Sequence, residues 1–189
     1  PYKQAIADLM AAGFGVKDTK EVRPLAFEST VGLFDEIFPE TPWQIRGLMT
    51  ERSLCVIGGE PKTTKTWAAL EIAMAVATGT PAFGDLQTMR EPAAVALFMA
   101  EDSRRSTRNR LRALASSRGL DPRAACERIF ATYLQAIDLR SIQHVASLVV
   151  AVRAIGPVGL IVLDPLRDCH GAEENSSTEM AVVAHAMRA

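Results

Sequence analysis

Eight consecutive residues, Gly59-Glu60-Pro61-Lys62-Thr63-Thr64-Lys65-Thr66, carry the most legible chemistry in this chain. They follow a short apolar run, Leu54-Cys55-Val56-Ile57-Gly58, and precede a helical pattern from Trp67 to Thr78. Strand, loop and helix with the spacing G-x-x-x-x-G-K-S/T make a phosphate-binding loop. Its backbone N–H groups, gathered at a helix N-terminus, attract phosphate oxygens. Lys65 has the reach for the β- and γ-phosphates, and the Thr66 hydroxyl is a ligand for Mg²⁺. One position departs from the pattern, because Thr64 stands where Gly is expected. At positive φ a β-branched residue there costs about 1–2 kcal/mol, whereas in a helical or extended region it costs little. We expect an allowed region, since a steadily strained β-branched residue is an outlier. The alternative for the whole octapeptide is an ordinary strand–turn–helix that contains Lys-Thr.

Two acidic segments add to this chemistry. In Leu160-Ile161-Val162-Leu163-Asp164, a carboxylate ends a four-residue apolar run about a hundred residues after the loop. At the edge of a buried strand it would orient the Mg²⁺ shell beside Thr66. The plainer reading is an Asp that caps the turn before Pro165. In Met99-Ala100-Glu101-Asp102-Ser103, two acids end the next apolar run after the loop helix. Ligands of open α/β sheets gather at the carboxyl ends of strands, where a carboxylate can polarise a water aimed at the γ-phosphate. Glu101 is the candidate for that task. Asp102 or Ser103 caps the Arg-rich helix that follows.

The elements that must position these residues alternate. Ser53–Ile57 reads as a buried strand, Thr66–Thr78 as a helix stopped by Gly79, and Ala93–Ala100 as a strand covered on both faces. Ser103–Arg118 reads as a helix anchored by Leu111 and Leu114, and Ile129–Leu134 as a strand. Ser141–Ala154 places Val145, Leu148, Val149 and Val152 at helical spacing, Val158–Leu163 is a strand, and Met180–Met187 is a last helix. The fold class is α/β, a mostly parallel sheet with helices on both faces. The strands ending at Ile57, Ala100 and Leu163 are expected in one parallel sheet, their C-terminal ends converging on the loop. Residues 1–42 carry few regular signals and read as an N-terminal arm or linker ahead of a core spanning 43–189. Tyr2–Ala12 suits a short helix with Ile6, Leu9 and Met10 on one face.

Composition bounds the rest. With 189 residues, 48% hydrophobic and 23% charged, the chain supports one globular domain with a sizeable core. A formal net charge of −1 removes a global basic signature for nucleic acid but leaves a local DNA surface open. Cys55, Cys126 and Cys169 have no disulfide or zinc spacing, which fits a reducing, cytoplasmic setting. The most apolar region, from Val145 to Leu163, is broken by Arg153, Gly156, Pro157 and Gly159, so no membrane span is read. The chain starts at Pro1, so the natural N-terminus is expected to be missing, and a removed targeting segment stays open.

The order of GEPKTTKTW, MAEDS, NRLRAL and LIVLDPLRDCHGAEENSS resembles the RecA-like ATPase superfamily. In particular it is similar to the plasmid RepA-type hexameric replicative helicases and their phage and mobile-element relatives. The last piece is the most specific, and the resemblance covers about Trp43 to Ala189. It implies a RecA-like P-loop core and ATP hydrolysis coupled to single-stranded DNA. The nucleotide site would comprise Gly59, Glu60, Pro61, Lys62, Thr63, Thr64, Lys65, Thr66 and Trp67, with ATP and Mg²⁺ bound. Lys65, Glu101 and Asp164 would be catalytic, and Thr66 and Asp164 would face the metal. Arg110, Arg167, Glu174 and Asn175 would contact the channel or a neighbouring subunit of a homo-oligomer, a hexamer in the family. The family's sensor strand and arginine finger would lie beyond Ala189, so the core is expected to be C-terminally truncated and the fragment weak in hydrolysis. The alternative is a nucleotide-binding regulatory or assembly module. A non-replicative recombination protein fits the Leu-Asp-x-Leu-Arg and Glu-Glu-Asn pieces less well.

Three features have plainer readings. Arg104, Arg105, Arg108, Arg110, Arg112 and Arg118 more often form a solvated helix face than a DNA contact, since no aromatics interleave with them. Asp168, Cys169, His170, Glu173 and Glu174 match no zinc pattern and read as a polar loop. Trp67 reads as core rather than as a base-stacking platform.

Overall fold

The computed structural model describes residues 1–12, 27–60, 62–171 and 177–187. Its centre is a parallel sheet of β3 (Ala94–Met99), β4 (Ile129–Tyr133) and β5 (Val158–Asp164) in the order β4-β3-β5. A small antiparallel pair, β1 (Trp43–Ile45) and β2 (Met49–Thr50), precedes it. The helices are α1 (Tyr2–Ala11), α2 (Lys65–Thr78), α3 (Arg104–Ser117), the short α4 (Pro122–Ala125), α5 (Ile142–Ile155) and α6 (Ser177–Ala186).

The strand period of two sorts the side chains of β3 to opposite faces. Val95, Leu97 and Met99 pack with Leu70, Met74 and Leu111 from α2 and α3. Phe98 packs on the other side with Val145 and Ala146 of α5, Leu9 of α1 and Val183 of α6. The central strand β3 is therefore covered on both faces, while the flanking strands leave Phe130 of β4 and Ile161 of β5 exposed. In α1, Ala5 and Leu9 are buried four residues apart, while Met10, one position further round the helix, is 58% exposed and leaves the expected face.

The expected strand Ser53–Ile57 does not form. Residues 53–59 have no regular structure, with Val56 71% and Ile57 42% exposed. Strand propensity is realised only where a neighbour completes the ladder. Here a four-residue run is followed at once by Gly58 and Gly59, which weaken it. Of the three strand ends expected to converge, those of β3 and β5 share the sheet, and β4 flanks β3 instead.

The direction of α2 is fixed at its C-terminal end. Gly79 ends the helix in the left-handed region at φ 72. Val76 O accepts a hydrogen bond from Ala93 N at 3.1 Å, just ahead of β3. A Cβ on Gly159, at the start of β5, would lie 3.5 Å from Val76 Cγ1 and 2.6 Å from Ala93 Cβ. The end of α2 thus sits at the N-terminal edge of the sheet, and the helix runs antiparallel to the strands. Fourteen helical residues rise about 21 Å and six strand residues about 20 Å. Lys65 is thereby brought level with the C-terminal edge.

Candidate functional site

The loop closes on itself through Lys65. Its Nζ donates to Gly59 O and Glu60 O, both at 2.7 Å, and Thr63 Oγ1 donates to Glu60 O at 2.6 Å. Gly59 is required at φ 151, and a Cβ there would come 3.0 Å from Thr63 Oγ1. Lys62 and Thr64 both adopt φ 65, in the left-handed region. The expectation that Thr64 lies in an allowed region is overturned: φ 65 and ψ 15 are the values that favour Gly. The cause is closure. The bonds of Lys65 and Thr63 fold the loop back on Gly59 and Glu60, and Thr64 must turn left-handed to enter α2. Pro61 lies outside the described residues.

No side chain caps the N-terminus of α2. Its first-turn N–H groups are therefore open to an anion, favoured there by the helix dipole. Lys65 and Thr66 are half-buried in that first turn, and Trp67 is 37% exposed, against the expectation of a core residue.

Across from the loop, β3 and β5 end together. Met99 and Asp164 are register partners, and Ala100 N donates to Asp164 O at 2.9 Å. Glu101 and half-buried Asp164 thus stand at one edge. Glu101 is 52% exposed in its side chain and pairs with Arg167, which also meets Asp168 at 3.5 Å. Asp102 pairs with Arg110, whose guanidinium lies 6.0 Å from the centroid of the Trp67 ring. That chain of contacts ties the first turn of α2 to the end of β3. Ser103, not Asp102, caps α3, accepting from Ser106 N at 3.2 Å. Glu174 and Asn175 lie outside the described residues, as does Glu173. Behind Asp164, burial first and then the charges of Asp168 and Asp164 push the Cys169 thiol up to about 12.

One feature beside the loop has no signal in the sequence. Arg118 donates to Thr80 Oγ1 at 2.6 Å and Pro81 O at 2.9 Å, and pairs with Glu71. Side-chain exposures of 11% and 15% make this a largely buried ion pair. It helps line a cavity of about 670 Å³ between α2, α3 and the turn at Thr80–Gly84, with Thr64 of the loop also in the lining. Glu71 and Arg118 are 47 residues apart, and the helix pattern marks Arg118 only as a terminal charge.

The donor set suits a magnesium nucleotide. An uncapped helix N-terminus and Lys65 fit phosphate oxygens. The Thr66 hydroxyl and the Asp164 carboxylate are hard oxygen ligands of the kind Mg²⁺ prefers. A bound Mg²⁺ would neutralise phosphate charge, while Lys65 would exchange its loop carbonyls for phosphate oxygens.

No curated protein matches the chain significantly. The AAA domain family matches residues 20–189, most of its length and all of the site. With an α/β core, an open helix N-terminus after the loop and acids at the strand ends, the chain belongs to the AAA domain family of P-loop ATPases and is a nucleotide-binding ATPase domain.

Proposed function

We propose that the chain is the ATP-hydrolysing motor domain of a RepA-type replicative DNA helicase. One observation carries the ATPase half of this reading: the uncapped end of α2 is tied through Trp67, Arg110 and Asp102 to the end of β3, where Glu101 stands beside the end of β5. Phosphates on α2 would meet Lys65 and Thr66, with Asp164 toward the metal. Glu101, freed from Arg167, would hold the attacking water. The helicase half is supported by the likeness of LIVLDPLRDCHGAEENSS to that family. On the same likeness the partners are single-stranded DNA and further copies of the chain in a ring. The cytoplasm is the proposed setting, and three free cysteines suit its reducing conditions. Among the described residues no helix is long and apolar enough to cross a membrane.

A second reading, a nucleotide-binding assembly module with weak hydrolysis, draws on two observations. Glu101 is held by Arg167, and Lys65 is folded onto its own loop. ATP turnover measured with and without single-stranded DNA, for the wild type and Glu101→Gln, separates the two. A motor shows DNA-stimulated turnover that Glu101→Gln removes. Tight ATP binding with turnover indifferent to both DNA and Glu101→Gln assigns the module.

A further inference from the structure

The cavity beside the loop has a ligand's shape and a defined chemistry. It begins at Thr64 and follows one face of α2 past Trp67 and Glu71. Leu114 of α3, Arg118 at the C-cap of that helix, and Phe83 also line it. Its volume, about 670 Å³, falls within the usual range for small-molecule sites. Two aromatic rings are open to it, Trp67 at 37% and Phe83 at 49% exposure. The Trp67 ring does not hang free: Arg110 lies against it and is itself fixed by Asp102. Arg118 is engaged by Thr80, Pro81 and Glu71, so its charge is neutralised and most of its donors are spent.

A cavity that combines the Trp67 and Phe83 rings and Leu114 with the neutral hydroxyls of Thr64 and Ser117 and a neutralised ion pair favours a neutral planar group over a second phosphate. Thr64 and Trp67, at the N-terminal end of α2, are part of its lining. We infer that this cavity is the base-and-ribose subsite of the nucleotide, in which Trp67 is the stacking platform for a purine. The inference rests on the Gly59–Thr66 loop being the phosphate site. Nη1 and Nη2 of Arg118 are committed to the protein and its Nε is buried, so Arg118 offers no donor to a base edge and selection rests chiefly on stacking area. Adenine and guanine nucleotides bind comparably, and pyrimidine nucleotides bind more weakly.

The chain has two tryptophans, Trp43 and Trp67, so Trp43→Phe leaves Trp67 as the sole indole reporter. ADP and inorganic tripolyphosphate are titrated, each with Mg²⁺, by fluorescence and calorimetry. ADP is expected to change Trp67 emission, whereas tripolyphosphate binds without doing so. Trp67→Ala is expected to weaken ADP about tenfold, the scale of one lost base–aromatic stack, and to leave tripolyphosphate unchanged. Phe83→Ala, at an exposed position, supplies the same comparison if Trp67→Ala folds poorly. If both variants bind ADP as the wild type does, or lose ADP and tripolyphosphate equally, the subsite is refuted and the loop assignment stands. If neither ligand binds the wild type, the loop assignment falls and the subsite with it.

Discussion

Thr64 offers the sharpest test of the loop geometry. It sits at φ 65 and ψ 15, where a Cβ crowds the following carbonyl oxygen at a cost of about 1–2 kcal/mol. Thr64→Gly removes that cost. It also frees the unfolded chain, which returns about 0.4–1 kcal/mol. The hydrogen bond from Thr64 Oγ1 to Thr63 O is exposed and contributes close to nothing. The expected net result is a gain of about 0.5–1 kcal/mol, or roughly 1–4 °C in Tm for a domain of this size. Thr64→Asn should gain as well, because Asn tolerates the left-handed region without Gly's entropy. The free loop already holds Thr64 left-handed, so the strain is common to free and bound states. Nucleotide affinity should then move by less than about threefold. Urea unfolding of the three proteins gives the stabilities, and calorimetry with ADP gives the affinities. A Thr64→Gly protein less stable than the wild type, with Thr64→Asn no better, would refute the left-handed assignment. A tenfold gain in affinity at unchanged stability would show that the strain arises only on binding.

Three further outcomes follow from the same geometry. Lys65→Ala should abolish Mg²⁺-dependent ATP binding, because Lys65 is the loop cation whose Nζ already lies on Gly59 O and Glu60 O; equal titration curves for mutant and wild type would remove the loop from the site. Arg118→Ala should destabilise the fold by about 3–5 kcal/mol, since it strands the Glu71 carboxylate in a largely buried position; a loss under about 1 kcal/mol in urea would show that the pair is solvated. Arg140 holds the Asp138 carboxyl down at about 2, below the ordinary 3.8. Its folded value is depressed, so its stabilising contribution is complete above 3.8 and is lost as pH falls toward 2. The Tm of the wild type should therefore drop more steeply between pH 4 and 2 than that of Asp138→Asn, and parallel acid limbs would dismiss the pair.

Much of the fold was written locally. The runs of apolar residues in β3, β4 and β5 and the helical spacing of Val145, Leu148, Val149 and Val152 in α5 each identify an element within one or two residues. The loop and the acids of Glu101 and Asp164 were legible for the same reason. Each is a short pattern at a strand end, and strand ends follow from where an apolar run stops. Ser53–Ile57 misled because its pattern was also local, while a strand exists only when a second chain segment completes its hydrogen bonds.

The sequence by itself determined the alternation, and through it the sheet edge to which the chemistry belongs. The tertiary structure alone decided how that edge is built. It turned Thr64 left-handed, because loop closure over Gly59 and Glu60 outweighs the residue's own preference. It left Trp67 exposed on a cavity and set Arg110, held by Asp102, against its ring. It also joined Arg118 to Glu71 across 47 residues of chain. These features depend on which surfaces meet when helices pack on a sheet, and no period within a single segment encodes that meeting.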